Sequence, residues 1–244
     1  MIKLSVRDIA QYLVSDEAAR LQLLRERKFA APEAFARARF YSASRTSIAA
    51  YHRGALSRDA LEGRISTMRE DARCAAAAAA RSELVNNADV LERYLYYQGH
   101  RALQLAPPPA ADLVRGDVEV RVRPSLFAIE DDDRRRLIFL ELREKPSRTA
   151  MRIVAELAFE AFRPVLRNLP ADAVQVIDVR RGLVVELQQA GSSIGRELAE
   201  ACQAISRVWP ELAPPRGAPP EPRASERQMA IAWDAGPAGA GRPH

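Results

Sequence analysis

Cysteine and histidine are scarce in this chain of 244 residues. It contains two cysteines, Cys74 and Cys202, and three histidines, and neither residue type recurs at the spacing of a metal site. The pattern argues against a disulfide framework, an iron–sulfur cluster and a zinc site built on these side chains.

A long uncharged apolar segment is also missing. The first residues, MIKLSVRDIAQYLVSDEAARL, include acidic side chains early and do not have the pattern of a signal peptide. No other stretch has the length and apolar character of a membrane span. We therefore expect a cytoplasmic protein with no membrane partner.

Charged and apolar residues are both plentiful. Hydrophobic residues make up 48% of the chain and charged residues 28%, and 37 Lys and Arg against 32 Asp and Glu give a net charge of +5. This length and composition suit one folded domain with an appendage or two small domains. The mild positive charge is compatible with nucleic acid but does not by itself indicate it.

The chain divides into three parts by pattern. Residues 1–105 are predicted to be mainly helical, and residues 106–210 to form an αβ core that makes one domain with the helical part. Residues 211–244 are rich in Pro, Ala and Gly and are predicted to be a disordered tail. Such a tail offers a contact for a protein partner.

Helical periodicity dominates the first part. Ser5 has the position of an N-cap for the first helix. From Ser47 to Gln104 the pattern is almost wholly helical, with a long alanine-rich helix that Asn86 and Asn87 are expected to interrupt.

The second part alternates strands and helices. VEVRVR, from Val118, has one apolar and one charged face, and LFAIE follows it. After a charged turn, RLIFLEL is an apolar run typical of a central strand covered on both faces. A helix begins at Ser147, a hairpin turns at Arg180–Gly182, and a last helix covers 192–209. The pattern predicts an α/β fold, a mixed sheet flanked by helices, with a helical N-terminal half.

The end of the apolar strand holds an unusual set of charges. Glu141, Arg143 and Lys145 are spaced by two, so an extended strand places them on one face. Two interpretations stay open at this point: a strand end that emerges into solvent, or a site that handles phosphates with or without a metal.

Other basic runs have two interpretations as well. In FARARFYSASRTS, aromatics alternate with Arg37, Arg39 and Arg45, which suits either stacking on a nucleic-acid strand or packing under a loop, and packing is favoured. For the basic residues between Arg20 and Lys28 a solvated helix face is favoured over phosphate contact.

The order of elements resembles the PD-(D/E)xK nuclease superfamily, and within it the RecB-like and CRISPR-associated exonuclease branch. The resemblance covers residues 1–210 and depends mainly on that order, with local support from four segments: LSVRDIAQYL, IFLELREK, VIDVRRGLVVEL and ISRVWPEL. It implies a restriction-endonuclease-like fold.

The resemblance also implies a site. In the family an aspartate and a D/E on neighbouring strands hold Mg²⁺, and a lysine two residues further on activates water. Carried over, Glu141 takes the D/E position, Arg143 the lysine position, and Ser125 the aspartate position. Lys145 and Glu156 are the expected substitutes for the missing lysine and the missing carboxylate.

These departures predict a degenerate site. Serine is a weak neutral metal ligand, and arginine does not deprotonate near neutral pH. Asp131–Asp133 supply a carboxylate only if they turn inward, whereas a solvated turn is favoured. Mg²⁺ is therefore an expected cofactor, held by Glu141 and Glu156, only if the site is active. An ion pair between Glu141 and a neighbouring arginine, Arg143 or Arg121, is instead the expectation for a structural role.

Three functions follow as hypotheses. The first is a nuclease-like protein with an inactive site that binds DNA or RNA, or assembles in a nucleic-acid-processing complex. Its phosphate contacts would be four cations: Arg121, Arg123, Arg143 and Lys145. The second is an active Mg²⁺-dependent DNA nuclease with a rearranged site, and the third is a non-enzymatic protein-interaction module that uses the helical half and the tail.

Overall fold

The computed structural model of the protein describes residues 1–30, 40–130, 134–143, 146–189 and 193–214. They form an α/β fold in which mixed sheets are flanked by helices, which confirms the predicted fold class. Residues 1–212 belong to one compact unit.

The described residues include seven α-helices and eight strands. The helices are α1 (Val6–Val14), α2 (Glu17–Lys28), α3 (Ser42–His52), α4 (Arg58–Cys74), α5 (Ala78–Gln98), α6 (Arg148–Phe162) and α7 (Ile194–Val208). The strands are β1 (Ile2–Ser5), β2 (Gln104–Ala106), β3 (Ala111–Arg115), β4 (Val118–Val122), β5 (Leu126–Ile129), β6 (Arg135–Glu141), β7 (Val174–Asp178) and β8 (Leu183–Glu186). Of these helices, none is both long enough and apolar enough to cross a bilayer.

Side-chain caps fix the starts of four helices. Ser5 and Ser147 cap α1 and α6, as predicted, by accepting hydrogen bonds from the backbone N–H three residues later. Asp8 completes a capping box with Ser5, and Asp16 and Ser57 cap α2 and α4 in the same way.

The strands form two sheets. β1-β4-β3 is a three-stranded sheet, and β2-β5-β6-β7-β8 is a five-stranded one. The sequence pattern placed VEVRV and LFAI one after the other, but β4 and β5 belong to different sheets. Pro124 lies between them and has no N–H with which to continue a ladder.

The strand β6 is the centre of the larger sheet. It pairs antiparallel with β5 and parallel with β7. Leu137 and Phe139 pack into a core with α1, α6 and α7, whereas Ile138 and Leu140 face a second core made with α3, α4 and α5. The prediction of a central strand covered on both faces is therefore confirmed.

The predicted interruption at Asn86 and Asn87 is wrong. The break falls at residues 75–77, between α4 and α5, and both asparagines lie inside α5. Asn87 is buried, where its Oδ1 accepts a hydrogen bond from the Ser44 N–H at 3.0 Å and its Nδ2 donates to the Phe40 carbonyl at 2.6 Å. A tertiary contact thus occupies the side chain that local pattern assigned to a cap.

Short strands were missed at both ends of the helical part. The first residues form β1, in which Ile2 pairs with Val118 of β4, and the helical run ends at Gln98, before β2. The proline-rich connector contains β3. Each strand has only three to five residues, too few for periodicity to identify.

Candidate functional site

Glu141 is the last residue of β6, where the central parallel pair of strands ends. Its backbone is paired in register with Asp178 of β7, and its carbonyl accepts a hydrogen bond from the Val179 N–H at 3.1 Å. Leu140 and Leu142, on either side of it, are buried. The neighbouring leucines therefore anchor this strand end, and the Glu141 side chain lies at the C-terminal end of the central strand.

The carboxylate of Glu141 is paired with Arg7. Nε of Arg7 donates a hydrogen bond to it, and Nη2 of Arg7 donates to the Leu140 carbonyl at 3.1 Å. Arg7 is in the first turn of α1, which the capping box of Ser5 and Asp8 holds in place. The expected ion-pair partners, Arg143 and Arg121, do not hold this carboxylate.

A cavity of about 370 Å³ opens beside this ion pair. Residues of α1, α2, α3, β6 and α6 line it. Its described charged residues are four arginines and two acids: Arg7, Asp8, Arg27, Arg45, Glu141 and Arg143. The cavity is thus a place where cations outnumber carboxylates.

Among the described residues, two of these arginines have no side-chain hydrogen-bond or ion-pair partner. Arg27 pairs with Asp8 at 2.7 Å, and Arg7 pairs with Glu141. Within the described parts of the chain, neither Arg45 nor Arg143 makes an ion pair or a hydrogen bond through its side chain.

The pKa of Arg45 is lowered by the surroundings of its side chain. Loss of water around its charged end is the largest cause that lowers the pKa, although the residue as a whole is exposed. Repulsion from Arg7 and Arg143 lowers the pKa further, and Glu141 acts in the opposite direction. Two neighbouring guanidinium groups therefore repel that of Arg45, an arrangement that favours a bound anion.

Ser125, the residue at the predicted aspartate position, links two strands. Its Oγ accepts a hydrogen bond from the Leu140 N–H at 3.0 Å, and its own N–H donates to the Ile138 carbonyl at 2.8 Å. Both bonds extend the pairing of β5 with β6. The hydroxyl therefore supports the strand that positions Glu141.

Glu156, the predicted second carboxylate, accepts a hydrogen bond from Arg152 at 2.9 Å. The α6 residues Ala150, Met151 and Val154 line the cavity. Glu156 is two residues beyond Val154, about 200° around the helix at roughly 100° per residue. It therefore lies on the opposite side of α6 from the cavity.

The predicted ligands do not fit a magnesium ion in this arrangement, because Glu141, Ser125 and Glu156 each have a separate partner. No group of three or more His, Cys, Asp and Glu residues suitable for a metal occurs among the residues that the structure describes. The Asp131–Asp133 turn and Lys145 lie outside the described residues.

The predicted phosphate contacts on the smaller sheet already have acidic neighbours. Arg121 pairs with Glu119 at 3.1 Å, and Arg123 pairs with Asp112 at 2.7 Å. Arg123 also donates to the Ala111 carbonyl at 2.6 Å. Arg121 and Arg123 thus each have an acidic partner, whereas Arg143 has none within the described part of the chain.

Sequence reasoning missed Arg7 and assigned Arg45 to packing. The signal for Arg45 was the alternation of aromatics and arginines around it, which suits either function. Tyr41, from the same run, is buried and also lines the cavity, so packing and site formation occur together here. Arg37 and Arg39 lie outside the described residues.

Known proteins do not identify a family for this chain. No protein-family model matches the chain, and no curated protein matches it. The function is therefore argued from the chemistry of the site.

Proposed function

We propose that this protein binds nucleic acid through phosphate groups held in the cavity by Arg7, Arg45 and Arg143, and that it does so without cleaving the strand. One observation supports the proposal above the others. Arg45 and Arg143 line the cavity without a side-chain partner in the described part of the chain, while Arg7 pairs with Glu141, the acid at the D/E position.

Phosphate oxygens are the natural ligands of such a cluster. The guanidinium group presents several N–H donors in a planar fork that matches phosphate geometry, and it stays charged at every physiological pH. A bound phosphate also offsets the repulsion between Arg45 and its two cationic neighbours, the same repulsion that lowers the pKa of Arg45. Binding therefore relieves a cost that the free protein bears.

The proposal keeps the nuclease-like scaffold as an expectation and gives it a binding role. Within the same proposal the protein acts in the cytoplasm on DNA or RNA, in a larger complex to which the tail, residues 211–244, contributes a protein contact. Mg²⁺ has no part in this mode of binding, because guanidinium groups supply the positive charge that the phosphate requires.

The test is salt-dependent binding of labelled oligonucleotides, single-stranded and double-stranded, to the full chain. The double variant Arg45→Gln/Arg143→Gln should raise the Kd by about tenfold or more. It should also reduce the slope of log K against log salt by about 1.5, because two phosphate contacts are lost.

A matched control removes the same charge elsewhere. Arg64 and Arg73 are exposed on α4 and do not line the cavity. The double variant Arg64→Gln/Arg73→Gln should bind like the wild type. If the wild type binds no oligonucleotide at low salt, or if both double variants bind equally, the proposal is overturned.

A further inference from the structure

The cavity also indicates which phosphate it takes. We propose that it receives the terminal phosphate monoester of a nucleic-acid strand, in preference to an internal phosphodiester. This inference rests on the proposed function and specifies its ligand. Three properties of the cavity support it: its charge, its volume and its apolar wall.

The charge of the described lining matches a monoester. Four arginines and two carboxylates leave a net charge of +2, and the two unpartnered cations are Arg45 and Arg143. A phosphate monoester has a charge of about −1.5 to −2 at pH 7, whereas an internal diester has only about −1. A monoester can therefore balance the charge of both guanidinium groups, whereas a diester balances the charge of one.

The volume matches one nucleotide. At about 370 Å³ the cavity is near the lower limit for small-molecule sites, which measure about 300–1,000 Å³. Proteins that follow a strand use grooves that cover about 4 to 16 nucleotides. A cavity of this size holds the end of a strand, and it is too small for several consecutive units.

The apolar part of the lining suits the attached nucleoside. Among the apolar residues that line the cavity, Leu23 and Pro146 are partly exposed and can contact a ligand. Apolar side chains contact a sugar or a base without distinguishing its sequence. The charged residues therefore bind the phosphate, and the apolar ones accept the sugar and base next to it.

The test compares three oligonucleotides of one sequence, about 12 nucleotides long so that one molecule binds. One has a 5′-phosphate, one a 3′-phosphate, and one has hydroxyl groups at both ends. One of the two phosphorylated strands should bind the wild type about tenfold more tightly than the hydroxyl strand. The Arg45→Gln/Arg143→Gln variant should lose this preference, and the Arg64→Gln/Arg73→Gln variant should keep it.

A pH series gives a second readout. The described lining contains no histidine and no cysteine, while the second pKa of a phosphate monoester is about 6. The preference for the phosphorylated end should therefore shrink between about pH 7.5 and about pH 5.5, as the ligand loses charge. Inorganic phosphate should compete with the phosphorylated strand at the higher pH.

The outcomes separate this inference from the proposed function. Equal binding of the three strands, weakened in the Arg45→Gln/Arg143→Gln variant, overturns the end preference and leaves nucleic-acid binding at the cavity intact. A preference that persists in that variant also overturns the inference. No binding of any strand overturns both. Thermal unfolding of each variant checks that the folded state is retained.

Discussion

Arg7 and Glu141 are 134 positions apart in the chain, and the Nε of the arginine donates a hydrogen bond to the carboxylate of the glutamate. The same arginine contacts the Leu140 carbonyl, so the pair joins the first turn of α1 to the end of β6. Glu141 and Arg7 form an ion pair, and both residues line the cavity. In this arrangement the Glu141 carboxylate holds the Arg7 guanidinium beside the cavity.

Replacing Glu141 with glutamine should strengthen binding of oligonucleotides. The change removes a carboxylate from the cavity and keeps a side chain that can accept a hydrogen bond from Arg7. A gain of about 1 kcal/mol, or about fivefold in Kd, is expected for loss of one like-charged group near the phosphate. Titration of the Glu141→Gln variant measures this directly. Weaker binding than the wild type would contradict the assignment of Glu141.

Divalent metal ions should not enable the protein to cleave nucleic acid. Glu141 is paired with Arg7, and Ser125 bonds to the β6 backbone, so the wild type should leave DNA intact in Mg²⁺ or Mn²⁺. In buffer without added divalent cations, EDTA should leave the Kd unchanged at constant ionic strength. Cleavage by the wild type that disappears in Glu141→Gln would instead establish the metal-dependent nuclease.

The fold could be predicted where the signal was local. Ser147 begins α6 because its side chain caps the following turn, and the turn at Arg180–Gly182 joins β7 to β8. Both depend on residues a few positions apart. The division into two sheets depends on partners such as Ile2 and Val118, and no periodicity contains that information.

The site was predictable only in part, for the same reason. Spacing alone identified Glu141 and Arg143 as neighbours on one strand. The ion pair with Arg7 and the approach of Arg45 depend on how α1 and α3 pack against β6. The basic residues of α2 show the same limit: Lys28, expected on a solvated face, instead bonds to backbone carbonyls near the end of α7.

Lys28→Met should destabilise the attachment of the C-terminal helix. Nζ of Lys28 donates to the carbonyls of Trp209, Pro210 and Leu212, at 2.7, 3.3 and 3.0 Å. Methionine keeps the apolar stem and removes the donors, and a loss of about 1–2 kcal/mol in the free energy of unfolding is expected. Urea denaturation measures it.

The control for Lys28 is on the same helix. Arg25 makes no side-chain hydrogen bond or ion pair within the described residues, so Arg25→Met should change stability by less than about 0.5 kcal/mol. Equal losses in the two variants would show that the three carbonyl contacts contribute nothing beyond general surface charge.

Gly182→Ala should be more harmful than the same change at Gly116. Both glycines have positive φ, +66° and +58°, so alanine costs about 1–2 kcal/mol at each. At Gly182 a Cβ would also collide with the ring of Tyr97, whereas at Gly116 nothing lies within 4 Å. The collision adds about 1–3 kcal/mol.

Chemical denaturation of the two glycine variants gives the difference. In a Tyr97→Ala background the excess cost at Gly182 should disappear, since the double-mutant cycle removes the colliding ring. If Gly182→Ala and Gly116→Ala lose equal stability in the wild-type background, the close approach of Tyr97 to this turn is refuted.

The stability of the fold should decrease as the pH is lowered below about 6.5, and His52 is the cause. Its Nε2 is hydrogen bonded to the Tyr94 hydroxyl at 2.7 Å, and the Tyr51 ring lies 5.0 Å from its own. Burial lowers the pKa of His52 from 6.5 to about 4, and repulsion from Arg101 contributes to the shift. The folded protein thus keeps this imidazole neutral where an unfolded chain would protonate it.

The sign of the effect follows from the two pKa values. Above about pH 6.5 the imidazole is neutral in both states, so it has no effect on stability. Between about pH 6.5 and about pH 4 mainly the unfolded chain takes up the proton, and the free energy of unfolding decreases. The decrease stays below the limit of about 1.4 kcal/mol per pH unit, because solvent screens the half-buried imidazole. Urea unfolding across this range measures the decrease.

The His52→Gln variant should flatten the curve of unfolding free energy against pH. His100→Gln, a change at an exposed histidine, should leave the curve as in the wild type. A curve that His52→Gln does not flatten would refute the burial of a neutral imidazole against Tyr94.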